Sequence, residues 1–367
     1  MLTLSRHAPT ILLAGALLGA SATSAGARTL APLNPRAPGL TRSTVFPLRD
    51  RVLQSRPGRP RARAASTPER AYRAPDGTTV NVALSDSFAA TPDNQSAVQS
   101  YVNFLSTRLH GGELNSLHVF IGSPAEINTL CGGGTGVLAC YVAGEQRMYV
   151  PSQDPTAGRT PFTREYVVTH ELGHHVARSR SNDPFPALDF GPKYWSSYEH
   201  VCAGVVAGRY YPGNQGSHYV DDPGESFADS YAHLHYPTVP WQFNPTLAPD
   251  AGAFAAIRQD VLTPWSGPKT TSVRRLLTSR RRVRSFRVAY SLDGEVSLRL
   301  SGPSRANYDL EVLEAGRVVA RSRARGSQDT LRGAVCRPSQ EVTASLTVRV
   351  RRRSGSGLFT LRTAYPG

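Results

Sequence analysis

The chain has 367 residues, a formal net charge of +15 and four cysteines. That length accommodates two ordinary domains. After the first 27 residues no run reaches the 18 apolar residues that a membrane-spanning helix needs, which excludes a transmembrane segment in the rest of the chain.

The first 27 residues carry the marks of a secretory signal. Arg6 and His7 precede an apolar run from Ile11 to Ala20, and Ala25-Gly26-Ala27 offers a small-x-small cleavage site. The expected product is a secreted, extracellular protein. Four cysteines fit that oxidising compartment. Cys131 and Cys140 bracket a glycine-rich loop and are expected to pair. Cys202 and Cys336 either bridge two domains or stay reduced, since spacing alone does not choose. No cysteine has a basic partner suited to thiol catalysis.

Residues 28–75 hold 11 Arg against Asp50 and Glu69, with many prolines, and no period recurs among their few apolar positions. They read as a disordered linker or a propeptide, with disorder favoured. Residues 76–267 read as mixed α and β. Thr79 to Leu84 alternates as a strand does, Asn94 to Leu109 has helical spacing, and Leu117 to Ile121 is a second short strand. Ala139–Val142 and Arg147–Val150 flank a turn and read as a hairpin. Thr160-Pro161 reads as an N-cap with an N1 proline, opening a helix that runs to about Arg178. Residues 181–224, rich in Pro, Gly and Tyr, read as a long loop region. A further helix is expected from Pro223 to His235.

Residues 270–367 change character. Phe286, Val288 and Tyr290 alternate, as do Val296, Leu298 and Leu300, then Leu346, Val348 and Val350, with turn signals at Asp293-Gly294, Ala315-Gly316 and 354–357. Short alternating strands with regular turns predict an all-β sandwich. The fold expected overall is thus an α+β domain over 76–267 followed by a β-sandwich over 270–367.

Charge is distributed unevenly over these parts. Residues 76–269 are acidic, at −8, whereas 28–75 carry +9 and 270–367 carry +13. Basic flanks of this kind could attract an anionic cell-surface polymer, but an arginine-rich solvated surface is the favoured reading. Nothing in their pattern specifies nucleic acid.

The chemistry concentrates in Tyr166–Val176, which contains His170, Glu171 and His174 as H-E-x-x-H. Residues four apart on a helix share a face, so both imidazoles can reach one metal ion. Glu171 is placed to act as general base on a metal-bound water. The alternative is an accidental H-E-x-x-H on an ordinary amphipathic helix. About fifty residues on, Glu225 and Asp229 are also four apart. Glu225 is the expected third ligand, and Asp229 the carboxylate that orients a ligand histidine. The competing reading has two exposed carboxylates near a helix start, where the dipole favours them. Asp221 and Asp222 compete as ligands but suit a loop or a cap. His175 points about 100° away from the ligand face.

The two motifs together resemble those of the gluzincin metallopeptidases, the thermolysin group, over about 190 residues. The resemblance implies Zn2+ as cofactor, an upper β-sheet whose edge strand pairs with a polypeptide substrate, and a helical lower part. It departs from that pattern at Gly224, where an asparagine often stands. The third histidine of metzincins is absent, with Ala177 and Arg180 in the places of that extended motif, and an aspartate-ligand arrangement through Asp229 stays open. Such enzymes also use a histidine or tyrosine against the oxyanion. Tyr219, His218, Tyr231, His233, His235 and Tyr236 are candidates, each with core or surface packing as its alternative. Tyr194, Tyr198, Tyr210 and Tyr211 either line a cleft or pack a loop. The C-terminal region resembles the bacterial pre-peptidase C-terminal domain through Tyr308–Val312, Val318–Ser322, Val348–Val350 and Leu358–Leu361. That implies a secretion or targeting role. The expected function is a secreted zinc metallopeptidase with Glu171 as catalytic base. The alternatives are a zinc hydrolase of a non-peptide or cell-wall amide, and a non-catalytic surface-binding protein on the same scaffold.

Overall fold

The computed structural model describes residues 28–33, 51–54, 66–88, 91–134, 136–154, 162–337 and 343–367. The expected signal at 1–27 lies outside them. In chain order, the first part contains β1 (Val52–Leu53), β2 (Arg70–Arg73), β3 (Thr79–Leu84), α1 (Pro92–Ser106), β4 (His118–Gly122), α2 (Pro124–Leu130), β5 (Cys140–Val142) and β6 (Arg147–Pro151). Then come α3 (Arg164–Arg178), α4 (Ala187–Phe190), α5 (Lys193–Tyr198), α6 (Val201–Val206), α7 (Pro223–His233) and α8 (Ala251–Leu262). The second part is all strand: β7 (Lys269–Leu277), β8 (Val283–Tyr290), β9 (Gly294–Ser301), β10 (Asn307–Glu314), β11 (Arg317–Ser322), β12 (Asp329–Val335), β13 (Ala344–Ser354) and β14 (Gly357–Tyr365).

Six strands of the first part form one mixed sheet in the order β1-β5-β6-β4-β3-β2. Strands β3, β4 and β6 run parallel, while β5 runs antiparallel to β6. Val80, Val82, Val119, Ile121, Met148 and Val150 supply the sheet's share of one core, with Val168, Leu172 and Val176 of α3 on its other side. Four-residue spacing puts these three α3 residues on the stripe opposite the chemistry. Thr163 caps α3 by accepting from the Tyr166 amide, so the cap falls three residues later than expected. Thr160 and Pro161 lie outside the described residues.

Of residues 28–75, the described stretches 28–33, 51–54 and 66–75 are structured. The Leu30 amide donates to Asn94 Oδ1 at 2.7 Å, and the Leu33 amide to Ser100 Oγ at 3.1 Å. Both leucines are in the main core, and Arg164 donates to the carbonyls of Ala31 and Pro32. Strands β1 and β2 take the two outer places of the sheet. Apolar positions too sparse to show a period still bury against an existing surface. Residues 181–224 also hold more structure than a loop, in α4, α5, α6 and a 3-10 turn at Tyr219–Asp221. Each is under two turns long, too short for its periodicity to be read.

In the second part β11-β10-β13-β8 and β12-β9-β14-β7 form two antiparallel four-stranded sheets. Their inward residues, among them Tyr308, Leu310, Val348, Leu298 and Phe359, share one core. Ala315 and Gly316, both with positive φ, make the β10–β11 turn. Cys131–Cys140 and Cys202–Cys336 are both disulfides. They are consistent with an oxidising, extracellular location. No described helix is long and apolar enough to cross a membrane.

Candidate metal centre

Helices α3 and α7 carry the site, and a glycine sets their separation. A Cβ on Gly173 would lie 2.8 Å from Ala228 Cα and 3.0 Å from Ala228 O. Ala228 stands between Glu225 and Asp229, so this contact brings the H-E-x-x-H face directly against the Glu-x-x-x-Asp face. Asp222 caps α7 by accepting from the Gly224 amide, and Pro223 occupies the first turn. Glu225 then falls in that first turn with its side chain turned inward.

His170, His174 and Glu225 each present a ligand atom, and the three atoms lie within 4.8 Å of one another. Glu225 Oε2 is 3.5 Å from His170 Nε2 and 3.4 Å from His174 Nε2. All three residues are wholly buried, as is Glu171. Two imidazole nitrogens and a carboxylate converging in a buried position form a donor set that suits a divalent cation, with the Nε2 atoms facing Glu225. The group can therefore hold a metal ion.

Behind it, Asp229 Oδ1 lies 3.4 Å from His170 Nδ1, the ring nitrogen turned away from the cluster. A carboxylate there favours a proton on Nδ1 and leaves Nε2 as the electron-pair donor. The Tyr166 hydroxyl donates to the same Asp229 oxygen at 2.6 Å. Burial first, and Asp229 second, hold the Tyr166 pKa well above the phenol range, so this hydroxyl remains a donor. Tyr166 sits four residues before His170 on the ligand face, a spacing that could have flagged it from the sequence. Phe243 stacks on the His170 ring at 6.3 Å, and Tyr141 on His174 at 6.4 Å.

Gln215 has no such local signal. Its Nε2 donates to Glu225 Oε1 at 2.7 Å and to Asp222 Oδ2 at 3.4 Å. Its Oε1 accepts from the Val52 amide at 3.1 Å. Strand β1 thereby reaches Glu225, the third member of the group, through one side chain. β1 also covers the edge of β5, with the Tyr141 amide donating to Arg51 O and the Gly144 amide to Gln54 O, both at 3.0 Å.

The remaining candidates separate by their contacts. Asp222 accepts from the Gly213 and Gly224 amides and serves as the helix cap. Burial and the adjacent Glu225 push its pKa up against those two donors. Asp221 accepts from Asn244 Nδ2. His175 turns away from the cluster, with Nε2 on Glu113 O at 2.9 Å and Nδ1 on the Tyr141 hydroxyl at 3.0 Å. Burial lowers its pKa. Among the six oxyanion candidates, the Tyr219 hydroxyl lies 3.3 Å from Glu225 Oε2. Tyr231 donates to Leu109 O, His235 Nε2 accepts from the Leu109 amide, and His233 is held by Val239 O and Asp229. Tyr236 packs in a small apolar cluster, and His218 stacks on Tyr211 at 3.7 Å. The tyrosines of the 194–211 region do local work: Tyr198 donates to Asp250, Tyr211 to Gly208 O, and Tyr210 shares a hydrogen bond with Thr246.

Comparison with protein-family models finds no match, and comparison with curated proteins finds none either. What can be said of the site therefore rests on its own geometry: an α/β unit with a buried His-His-Glu group able to take a metal ion, followed by two antiparallel sheets.

Proposed function

We infer that this chain is a zinc-dependent metallopeptidase of the zincin type, exported from the cell. The observation that carries the reading is the convergence of His170, His174 and Glu225, with Asp229 behind His170 and Glu171 on the same helical turn. His170, His174 and Glu225 would hold the ion, three protein ligands being the usual number at a catalytic zinc. When bound, zinc supplies Lewis acidity, making a water molecule acidic near neutral pH and polarising a carbonyl.

The protein's own groups do the rest. Glu171 accepts the proton of the attacking water and returns it to the leaving amine, a task that suits a buried carboxylate. Asp229 and Tyr166 hold the His170 ring in one orientation. Tyr219, with its hydroxyl at the cluster, is placed to donate to the oxygen that gains charge in the transition state. Exposed sheet edges take peptides as added strands, and β5, whose Tyr141 stacks on His174, would be the edge beside this cluster without β1. In this structure β1 occupies that edge.

The deciding experiment measures zinc content and casein hydrolysis on the same samples of wild type, Glu171→Gln, Glu225→Ala and Asp222→Ala. The expected wild type holds about one zinc per chain and shows chelator-sensitive cleavage. Glu171→Gln should keep the metal and lose roughly 10²–10⁴ in turnover. Glu225→Ala should lose the metal, and Asp222→Ala should retain it. Wild-type protein without zinc would overturn the reading. Zinc without cleavage would move the substrate to a non-peptide amide.

A further inference from the structure

The two C-terminal sheets treat their arginines differently. Two arginines of β13 face carboxylates of β10: Arg349 is in register with Glu311 and Arg351 with Asp309, while Arg352 faces Tyr308. Ion pairs follow, with Arg349 at 3.5 Å from Glu311 and Arg353 at 2.6 Å from Asp309. Among the described residues, the outer face of the other sheet shows no such pairing. There Arg299 of β9 stands directly opposite Arg362 of β14. Like charges directly opposite on a sheet cost stability, so this arrangement is not what folding alone selects.

Two further arginines extend the row. Arg274 of β7 is in register with Thr360, one outward position along β14 from Arg362. Arg332 of β12 is in register with Ser297, one outward position along β9 from Arg299. Because the strand order is β12-β9-β14-β7, the four lie on a diagonal across the whole sheet. Strand spacing and rise make that diagonal roughly 20 Å long. All four side chains are exposed. Arg299, Arg332 and Arg362 line a shallow depression of about 520 Å³, together with hydroxyls of Thr270, Ser272 and Ser297. Outward positions alternate with buried ones along β9 and β14, and the register carries the same face onto β12 and β7; among these outward positions Glu295, at one end, is the single carboxylate and no aromatic occurs.

From this we propose that the outer face of the β12-β9-β14-β7 sheet binds a linear, base-free polyanion of the polyol-phosphate kind. Guanidinium groups and hydroxyls are the donors that hold phosphate oxygens, and a diagonal of four suits a chain better than one ion. The lack of aromatic platforms argues against single-stranded nucleic acid, which is held largely by stacking. The surface belongs to the C-terminal sheets and stands whether or not the metal-centre reading is correct.

The test uses the full chain and labelled poly(glycerol phosphate), with Kd measured between roughly 50 and 200 mM salt. Arg299→Gln/Arg362→Gln should weaken binding about tenfold or more and reduce the salt slope by about 1 to 2. Arg280→Gln/Arg281→Gln, equal in charge but in the β7–β8 turn, should leave Kd within about twofold, because a site depends on position and not on net charge. Arg332→Gln, on a different strand, should weaken binding in the same direction. Thermal unfolding should show no loss of stability in any of these, since the substitutions relieve repulsion. No wild-type binding, or equal weakening by the two double variants, would overturn the proposal. So would a DNA duplex that binds more tightly and responds to the same pair.

Discussion

His235 shows how one side chain can set part of the pH response. It is partly buried near α7, and its Nε2 accepts the Leu109 amide, a role only the neutral ring can fill. Burial, then Arg108 and Arg258, push its pKa from 6.5 down to about 4. Between those values the unfolded chain binds a proton that the folded chain does not. The stabilisation is thus complete above pH 6.5 and is lost as pH falls through 4. Below pH 6.5 the loss is at most about 1.4 kcal/mol per pH unit. Urea unfolding at a series of pH values checks this. His235→Gln keeps an acceptor but cannot titrate, so its stability should fall less steeply over that window, and equal slopes would refute the assignment. The same scale explains what was readable at the metal centre. His170, His174, Glu225 and Asp229 announce themselves because each pair is four residues apart on one helix. Gln215 does not, because its partners lie 7, 10 and 163 residues away.

Among elements, the α3–α7 contact governs the site. Gly173→Ala would drive a methyl into Ala228 and part the helices, at a cost of about 1–3 kcal/mol. Because the histidines and Glu225 sit on opposite sides of that contact, metal affinity should fall along with the melting temperature. A lower melting temperature with unchanged affinity would mean that the helices re-pack without moving the ligands. Strand β1 offers a second prediction. Val52→Pro removes the amide that Gln215 holds and weakens the strand. If β1 covers the edge that a peptide must use, the variant should cleave a peptide faster than wild type, by a lowered KM. Unchanged kinetics would show that the edge is not the substrate's path. Within residues 28–75, the described stretches take structure that local periodicity does not predict, for a physical reason. Arg51–Gln54 and Leu30–Leu33 form structure only against surfaces supplied by β5, α1 and α3, which local periodicity does not register.

At the scale of the molecule, the two parts are tied together at one corner. Lys193 is buried there, donating to Asp183 O at 2.8 Å and Asp293 O at 2.9 Å, with its ammonium 4.5 Å from the Trp265 ring centre. Burial brings its pKa down to about 8, partly offset by Asp293, Asp183 and Asp260. The Asp293 amide donates to Ser197 Oγ, and Cys202–Cys336 closes a span of 134 residues across the same junction. Loop-closure entropy rises with span, so removing this bridge by paired Cys→Ser changes should cost roughly 5 kcal/mol, against roughly 3 for Cys131–Cys140. Denaturant unfolding of the two variants measures the difference. The reverse order would mean that the junction holds without its disulfide.

The sequence alone determined what is local. Helical spacing put His170 with His174 and Glu225 with Asp229, period-two alternation marked β8, β9 and β13, and cysteine spacing suggested Cys131–Cys140. Tertiary structure alone decided what depends on contacts distant along the chain. It joined the two motif faces through Gly173 and Ala228, paired Cys202 with Cys336, and laid β1 along β5. It also gathered four arginines from four strands onto one face. Periodicity reports which side of an element is apolar, because burial selects it residue by residue. It carries no record of which buried side meets which, and that choice is made only when the whole chain packs.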